Sequence, residues 1–473
     1  MRRNTRNNPV ILLTVLLMTA FGVGVLYSAP KPSSSSNKAI TSFSIAGAAG
    51  IIDEKSITAD LTNLPLFTRI DALVASFKTD GKAVRVGSKD QVSGKTANDF
   101  TKPVLYTVTA ADGSTENYTV RVLVARIASI SGYADTLIVG SDGSLWATGR
   151  NGDGQLGNGS TTNASVPKQV LANGVAAVSA GYYHSLIHRT DGSLWATGYN
   201  KLGQLGNGST TSVSTPVQII ADSVASVSAG VNFSLVVKTD GSLWVTGANA
   251  SGQLGTGTTA NVSVPVQIIE GGVASVSGGD AHSLIVKTDG SLWVMGSNSH
   301  GQLGTGTTTD SRIPVQIVAS GVASASAGRS HSLFVKTDGS LWGMGYNGFG
   351  QLGTGATTDV LSPVQIFPNG VASVAAGGDH SLILKTDGSL WATGYNKNGQ
   401  IGNGGKDNVL VPIKILASGV AAVSGGLVHS VILKTDHSLW ATGYNNNGEL
   451  GNGSTTGVLT LVQIKRPSIS KDD

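Results

Sequence analysis

The tryptophans of this chain are Trp146, Trp195, Trp244, Trp293, Trp342, Trp391 and Trp440, and every interval between them is 49 residues. A spacing that regular, without one insertion, requires a tandem repeat. A period in this range with several short β-like runs per unit belongs to a propeller blade rather than to a helical repeat. One unit shows the blade: Val175 to Gly181 and His184 to Arg189 read as strands, Thr190-Asp191-Gly192-Ser193 as the hairpin turn between strands two and three, and Leu194 to Gly198 as strand three. A Gly/Asn loop, Asn200 to Gly208, then leads to a short strand at Pro216 to Ile219. Seven units predict an all-β, seven-bladed propeller over residues 126–465, with each Trp buried at an equivalent place and closure pairing strands from the two ends.

Composition agrees. Gly numbers 64 and charged residues make up only 13 %, which suits strands and tight turns and excludes a charged disordered tail. The net charge of +4 is unevenly spread: residues 1–40 carry +5, while residues 127–473 hold 17 basic and 19 acidic groups. A repeat region with net charge −2 argues against nucleic acid, which selects clustered Lys and Arg. The absence of Cys removes disulfides, thiolate metal sites and Cys nucleophiles.

The elements Gly-x-x-His-Ser-Leu, Asp-Gly-Ser-Leu-Trp and Asn-x-x-Gly-Gln-Leu-Gly recur in phase through to Leu461-Val462-Gln463-Ile464. Over roughly residues 127–464 this resembles the regulator of chromosome condensation repeat family. The resemblance implies that family's seven-bladed propeller. It also implies two specific activities to weigh, inhibition of a β-lactamase by secreted bacterial propellers and guanine-nucleotide exchange on a nuclear GTPase.

Ahead of the repeats, Arg2, Arg3 and Arg6 precede an apolar run from Pro9 to Tyr27. Residues 1–29 read as a signal peptide or a retained transmembrane anchor, and either places the rest of the chain outside the cytoplasm. Residues 30–38 form a Pro/Ser linker. Residues 39–124 alternate as strands do, and Ala111-Asp112-Gly113-Ser114 suits a hairpin turn, so a small β-sandwich is expected. Its Ile40-Thr41-Ser42-Phe43 opening and its Tyr106 to Val120 ending resemble the immunoglobulin-like domains of bacterial surface proteins. A polar tail, 466–473, closes the chain.

His184, His282, His331, His380 and His429 occupy one blade position, which Asp135 and Phe233 fill in the other two blades. One His per blade with an apolar interruption predicts hydrogen-bonded structure, not a metal centre. His-Ser neighbours alternate faces in a strand, so they form no nucleophile–base pair. The Gly-Gln-Leu-Gly loops lack the Lys and following helix of a phosphate cradle. Neither a catalytic residue nor a metal or cofactor is expected.

What differs between repeats is informative. The Asp-Gly-Ser hairpins are uniform except for His437, whereas the loops that emerge on the opposite face of an antiparallel blade vary. They carry Tyr133, Arg150, Tyr182, Tyr183, Tyr199, Asp280, Arg329, Tyr346, Phe349, Tyr395 and Tyr444. Tyr and Arg favour interface hot spots, so these are the candidate binding residues. The expected protein is a monomeric, exported or cell-surface, non-catalytic module that binds a protein ligand through this face and meets the membrane only through an uncleaved N-terminus. The alternatives are a β-lactamase-inhibitor type, a glycan-acting hydrolase or lyase, and an exchange factor. The repeat region's acidity and its unbroken spacing, which leaves no inserted wedge, count against the last.

Overall fold

The computed structural model describes residues 36–61, 70, 72–100, 102–124 and 127–464. The expected leader, most of the linker and the polar tail lie outside the described residues. Among those described, no helix is long and apolar enough to cross a membrane.

The first unit has nine strands: β1 (Ile40–Ile45), β2 (Ala48–Asp53), β3 (Ser56–Leu61), β4 (Leu73–Thr79), β5 (Ala83–Val86), β6 (Lys89–Asp90), β7 (Ala97–Asn98), β8 (Val104–Thr109) and β9 (Thr115–Val124). They form one hydrogen-bonded order, β6-β5-β8-β9-β3-β2-β1-β4-β7, antiparallel except for the parallel pair β3–β9. Phe43 of β1 meets Tyr106 of β8 edge-on at 5.5 Å, although those strands stand four places apart in the order. In a flat sheet that separation would be about 19 Å. The ladder therefore folds over itself as a small sandwich around Phe43, Ile45, Ile57, Leu61, Tyr106 and Val108.

Seven four-stranded antiparallel sheets follow, each made of four consecutive strands. Blade two runs Val175–Ala180, His184–Arg189, Leu194–Gly198 and Val213–Ile220. Its first strand lies innermost. There Ser179 Oγ accepts a hydrogen bond from Ala229 N of the next blade, a contact repeated around the axis by Ser131, Ser228, Ser277, Ser326 and Ser424. Ala375 interrupts the series in blade six.

The uniform hairpins have a local cause. In each, the Asp Oδ1 accepts a hydrogen bond from the Ser backbone N, as Asp191 does from Ser193 at 2.9 Å, and the Ser Oγ accepts one from the indole Nε1 of the following Trp. Six of these turns place Gly at φ between 74° and 80°, and His437 takes φ 64° in the seventh. The full burial expected of the tryptophans holds only for Trp146; the other six are half-buried. Cations lie over the outer faces of four of them: Lys238, Lys287, Lys336 and Lys434 stand 4.3–4.7 Å from the ring centroids of Trp244, Trp293, Trp342 and Trp440.

Closure also departs from expectation, because no blade mixes strands from the two ends. The ring instead closes with the clip that joins every blade to the next. In that clip the loop after strand three donates a backbone N–H to the outer strand of the following blade, as Gly159 does to Ser214 O at 2.9 Å. Gly453 N donates to Ser165 O at 2.8 Å in the same way, linking blade seven to blade one. Identical joints satisfy the edge of every blade, so no strand exchange is needed.

Candidate functional site

Beneath the loop face lies a fully buried polar ring. His184 Nε2 lies 2.9 Å from Ser234 Oγ of the next blade, and His282–Ser332, His331–Ser381 and His380–Ser430 repeat the contact at 2.9–3.1 Å. His429 faces Thr136 at 3.3 Å. Each of these hydroxyls donates its own hydrogen to a backbone carbonyl, as Ser234 does to Gln204 O, so each imidazole Nε2 must donate, while each Nδ1 is buried without a partner and needs no proton. Burial holds their pKa values down to about 3 or 4. A His–Ser contact therefore does occur, between blades rather than between chain neighbours. It is sealed from solvent, and the Ser hydrogen points away from the imidazole, so it does not make an activated nucleophile. Asp135 stands in the ring beside Ser185, whose hydroxyl gives its hydrogen to Gln155 O and leaves both carboxyl oxygens without a donor, and burial raises the carboxyl pKa well above the carboxylate range.

The loops above this ring are held by a buried Asn in every blade. Asn298 Oδ1 accepts from Leu303 N at 2.9 Å, while its Nδ2 donates to Thr307 O and Thr309 O. At the adjacent Gly296, φ is 103° and an added Cβ would lie 2.4 Å from Ala281 O, so only glycine allows strand three to pass the loop that close. The variable residues are thus carried on a stiff, repeated frame.

The frame brings the candidates together in two aromatic runs. In the first, Tyr133, Tyr182, Tyr183 and Tyr199 follow one another with ring centroids 5.9, 4.1 and 5.5 Å apart. The Arg150 guanidinium lies 5.2 and 4.9 Å from Tyr182 and Tyr183 and pairs with Asp153 at 3.1 Å. In the second, on blades four to six, His300, Tyr346, Phe349 and Tyr395 are spaced 4.7, 5.7 and 4.9 Å apart. Asp359 orients His300 through a 2.8 Å contact to Nδ1.

A polar bridge crosses the axis between the runs. The Tyr133 hydroxyl donates to Asp280 across the ring, and Arg329 lies 3.5 Å from both Asp280 and Asp379. Burial is the main cause that pushes Asp280 up to about 6 and also raises Asp379. Tyr133 is buried, so it supports the surface more than it presents one; Arg329 is exposed, and the remaining candidates are half-buried. Tyr444 stands apart from both runs and lines a cavity of about 320 Å³ between blades seven and one, together with Tyr133, Arg150, Tyr182 and Glu449. Asp153, Asp359 and Glu449 were not legible as site residues. Glu449 alone carried a signal, as the one departure from Gln in its column of seven repeats.

A closed ring of seven like blades, uniform at its hairpins and diversified at its opposite loops, defines a β-propeller repeat protein. The regulator of chromosome condensation (RCC1) repeat model matches residues 142–187, 191–237, 240–286, 289–335, 338–384 and 387–433. These windows cover more than half of the chain, and the protein belongs to the RCC1 repeat family. Each window runs from a hairpin into the second strand of the next blade, so the seventh is split between the ends where the ring closes. The model described as SGBP, N-terminal, matches residues 40–122 and points to a surface-associated protein. No curated protein matches.

Among solved structures, human WBSCR16 is 23% identical with a TM-score of 0.62, over 68% of this chain and 94% of that one. Yeast RCC1 (Prp20), solved with Kap60, is 21% identical at TM-score 0.62, over 69% of this chain and 84% of its own. At these identities the likeness is one of fold.

Proposed function

We propose that this is a non-catalytic binding protein of the bacterial cell exterior, with residues 1–29 as its export or anchoring segment, 30–38 as linker, 39–124 as spacer and 126–465 as the recognition module. The observation that carries the reading is the gathering of aromatic side chains from separate loops into two half-exposed runs on one face. Packing within blades does not require them, since other blades hold Ala, Ser or Val at the same positions. A protein is the favoured ligand because the runs span several blades and join large rings to Arg, the composition of a hot-spot surface. Prp20p from Saccharomyces cerevisiae has binding properties toward Gsp1p and histones, so in that protein a propeller of this fold serves protein partners. The SGBP match keeps a surface glycan as the second reading, and tyrosine rings would suit its sugar faces.

The test is photo-cross-linking on intact cells, with a benzophenone side chain at Tyr183 or Phe349 and, as control, at the exposed Glu270. Specific protein adducts are expected from the first two positions and none from the third. Adducts from Glu270 alone, or a protein reached by added protease only after lysis, would overturn the proposal.

A further inference from the structure

The cavity between blades seven and one differs from every other blade junction in its floor. Gln155, Gln204, Gln253, Gln302, Gln351 and Gln400 occupy the position that Glu449 takes here. In those blades the Gln Oε1 accepts a backbone N–H from the residue two places earlier, as from Asn398 at 3.2 Å. The amide nitrogen is not committed in one way: Gln204 Nε2 reaches Asn232 of the next blade at 3.2 Å, Gln302 Nε2 reaches Ser297 of its own blade at 3.4 Å, and those of Gln155, Gln351 and Gln400 make no hydrogen bond. Glu449 keeps the backbone contact, Asn447 N to Oε2 at 3.0 Å, but exchanges the donor for a carboxylate oxygen beside the loop that holds Tyr133 and Ala134.

Among the described residues, no cation pairs with that carboxylate. Its partners are the neutral N and Nδ2 of Asn447, the latter at 2.6 Å, and the residue is only 3% exposed. Of the two basic residues in the wall, Arg150 is already committed to Asp153 and to the faces of Tyr182 and Tyr183, and burial holds the His429 ring neutral. A buried carboxylate with neutral partners favours a cation that enters its cavity. The walls fit one with an apolar stem: Leu427 and Val428 offer aliphatic surface, and Tyr133, Tyr182 and Tyr444 offer ring surface that attracts positive charge.

We infer that this cavity is an anchoring pocket for a basic side chain of the protein that docks on the loop face, its ammonium or guanidinium group meeting Glu449. The inference rests on the proposed function for its partner, but the pocket can be tested without one. The probes are n-butylammonium, which copies a lysine side chain, and n-butanol, its neutral counterpart, titrated at pH 7.5 by ligand-observed NMR. The full chain should bind the amine at least about tenfold tighter than the alcohol. Glu449→Gln restores the residue that six blades carry and so keeps the fold; it should bring the two probes within about twofold of each other. Tyr346→Ala, on the far run, should leave the amine preference unchanged. Equal binding of both probes to the parent, or a preference that survives Glu449→Gln, would overturn the pocket. Failure of the wider reading shows elsewhere, as absence of cross-links from Tyr183 and Phe349 while the amine preference persists.

Discussion

Acidification from pH 7 to pH 4 is expected to unfold the propeller, although some of its buried groups pull the other way. His184, His331 and His380 fall to about 3, and His282 and His429 to about 4, from 6.5 in the unfolded chain. A folded-state pKa below the unfolded one means that the stability is complete above 6.5 and is lost as pH falls toward the folded values. At pH 5 the unfolded chain holds nearly five protons on these rings and the folded chain almost none. Opposing them, Asp135, Asp280, Asp379 and Glu449 have raised pKa values, so their contribution grows as pH falls. These four cancel at most four protons, and fewer where their shifts are modest. The net of one to three protons corresponds to roughly 1–4 kcal/mol per pH unit, so two units approach the whole stability of a typical domain.

Urea unfolding between pH 7.5 and 4 measures this directly. His331→Phe, which copies Phe233 in the same ring, should reduce the slope by about 1 kcal/mol per pH unit, one proton's worth. Stability that stays level or rises from pH 7 to pH 5 would contradict a neutral imidazole ring.

The second large effect is at Asn298. Replacement by Asp keeps an oxygen for Leu303 N but turns an acceptor toward Thr307 O and Thr309 O, two carbonyls that the amide nitrogen now serves at 2.9 and 3.0 Å. With both left unpaired beside a buried charge, a loss of about 4 kcal/mol is expected in urea unfolding. The exposed Asp310→Asn nearby should cost under about 1 kcal/mol, since the carboxamide can still accept from Asn298 N. Equal losses for the two would mean that the Asn does not organise its loop.

The blade count, the hairpins and the choice of variable face were legible because each is stated seven times at one spacing. Periodicity placed the histidines in one column of the blades. It could not show that His184 would meet Ser234, since that contact belongs to the angle between blades and not to either strand. Nor could it show that six tryptophans would be half-buried with a cation from the neighbouring strand over several of them, as Lys238 lies over Trp244. Closure was misjudged because the last joint carries the same periodic Gly as the others, and nothing in the sequence shows that the partner of Gly453, Ser165, lies across nearly the whole repeat region. The same distance hid the roles of Tyr133 and Asp280, which sit three blades apart in sequence and touch only because the ring brings its far sides to one axis. Glu449 could have been found by comparing repeats column by column, but its cavity required the fold.

The central claim is that ligand recognition belongs to the diversified loop face. Calorimetry with the cross-linked partner tests it most directly, comparing the parent with Tyr183→Ala plus Phe349→Ala and with Glu270→Ala on the opposite face. Both aromatic rings are half-buried at loop positions, so thermal unfolding should stay near the parent value. The double variant should lose at least about 2 kcal/mol of binding free energy, the scale of a hot spot, and Glu270→Ala should change it by less than about 0.5 kcal/mol. Equal affinity of the parent and the double variant would contradict the account.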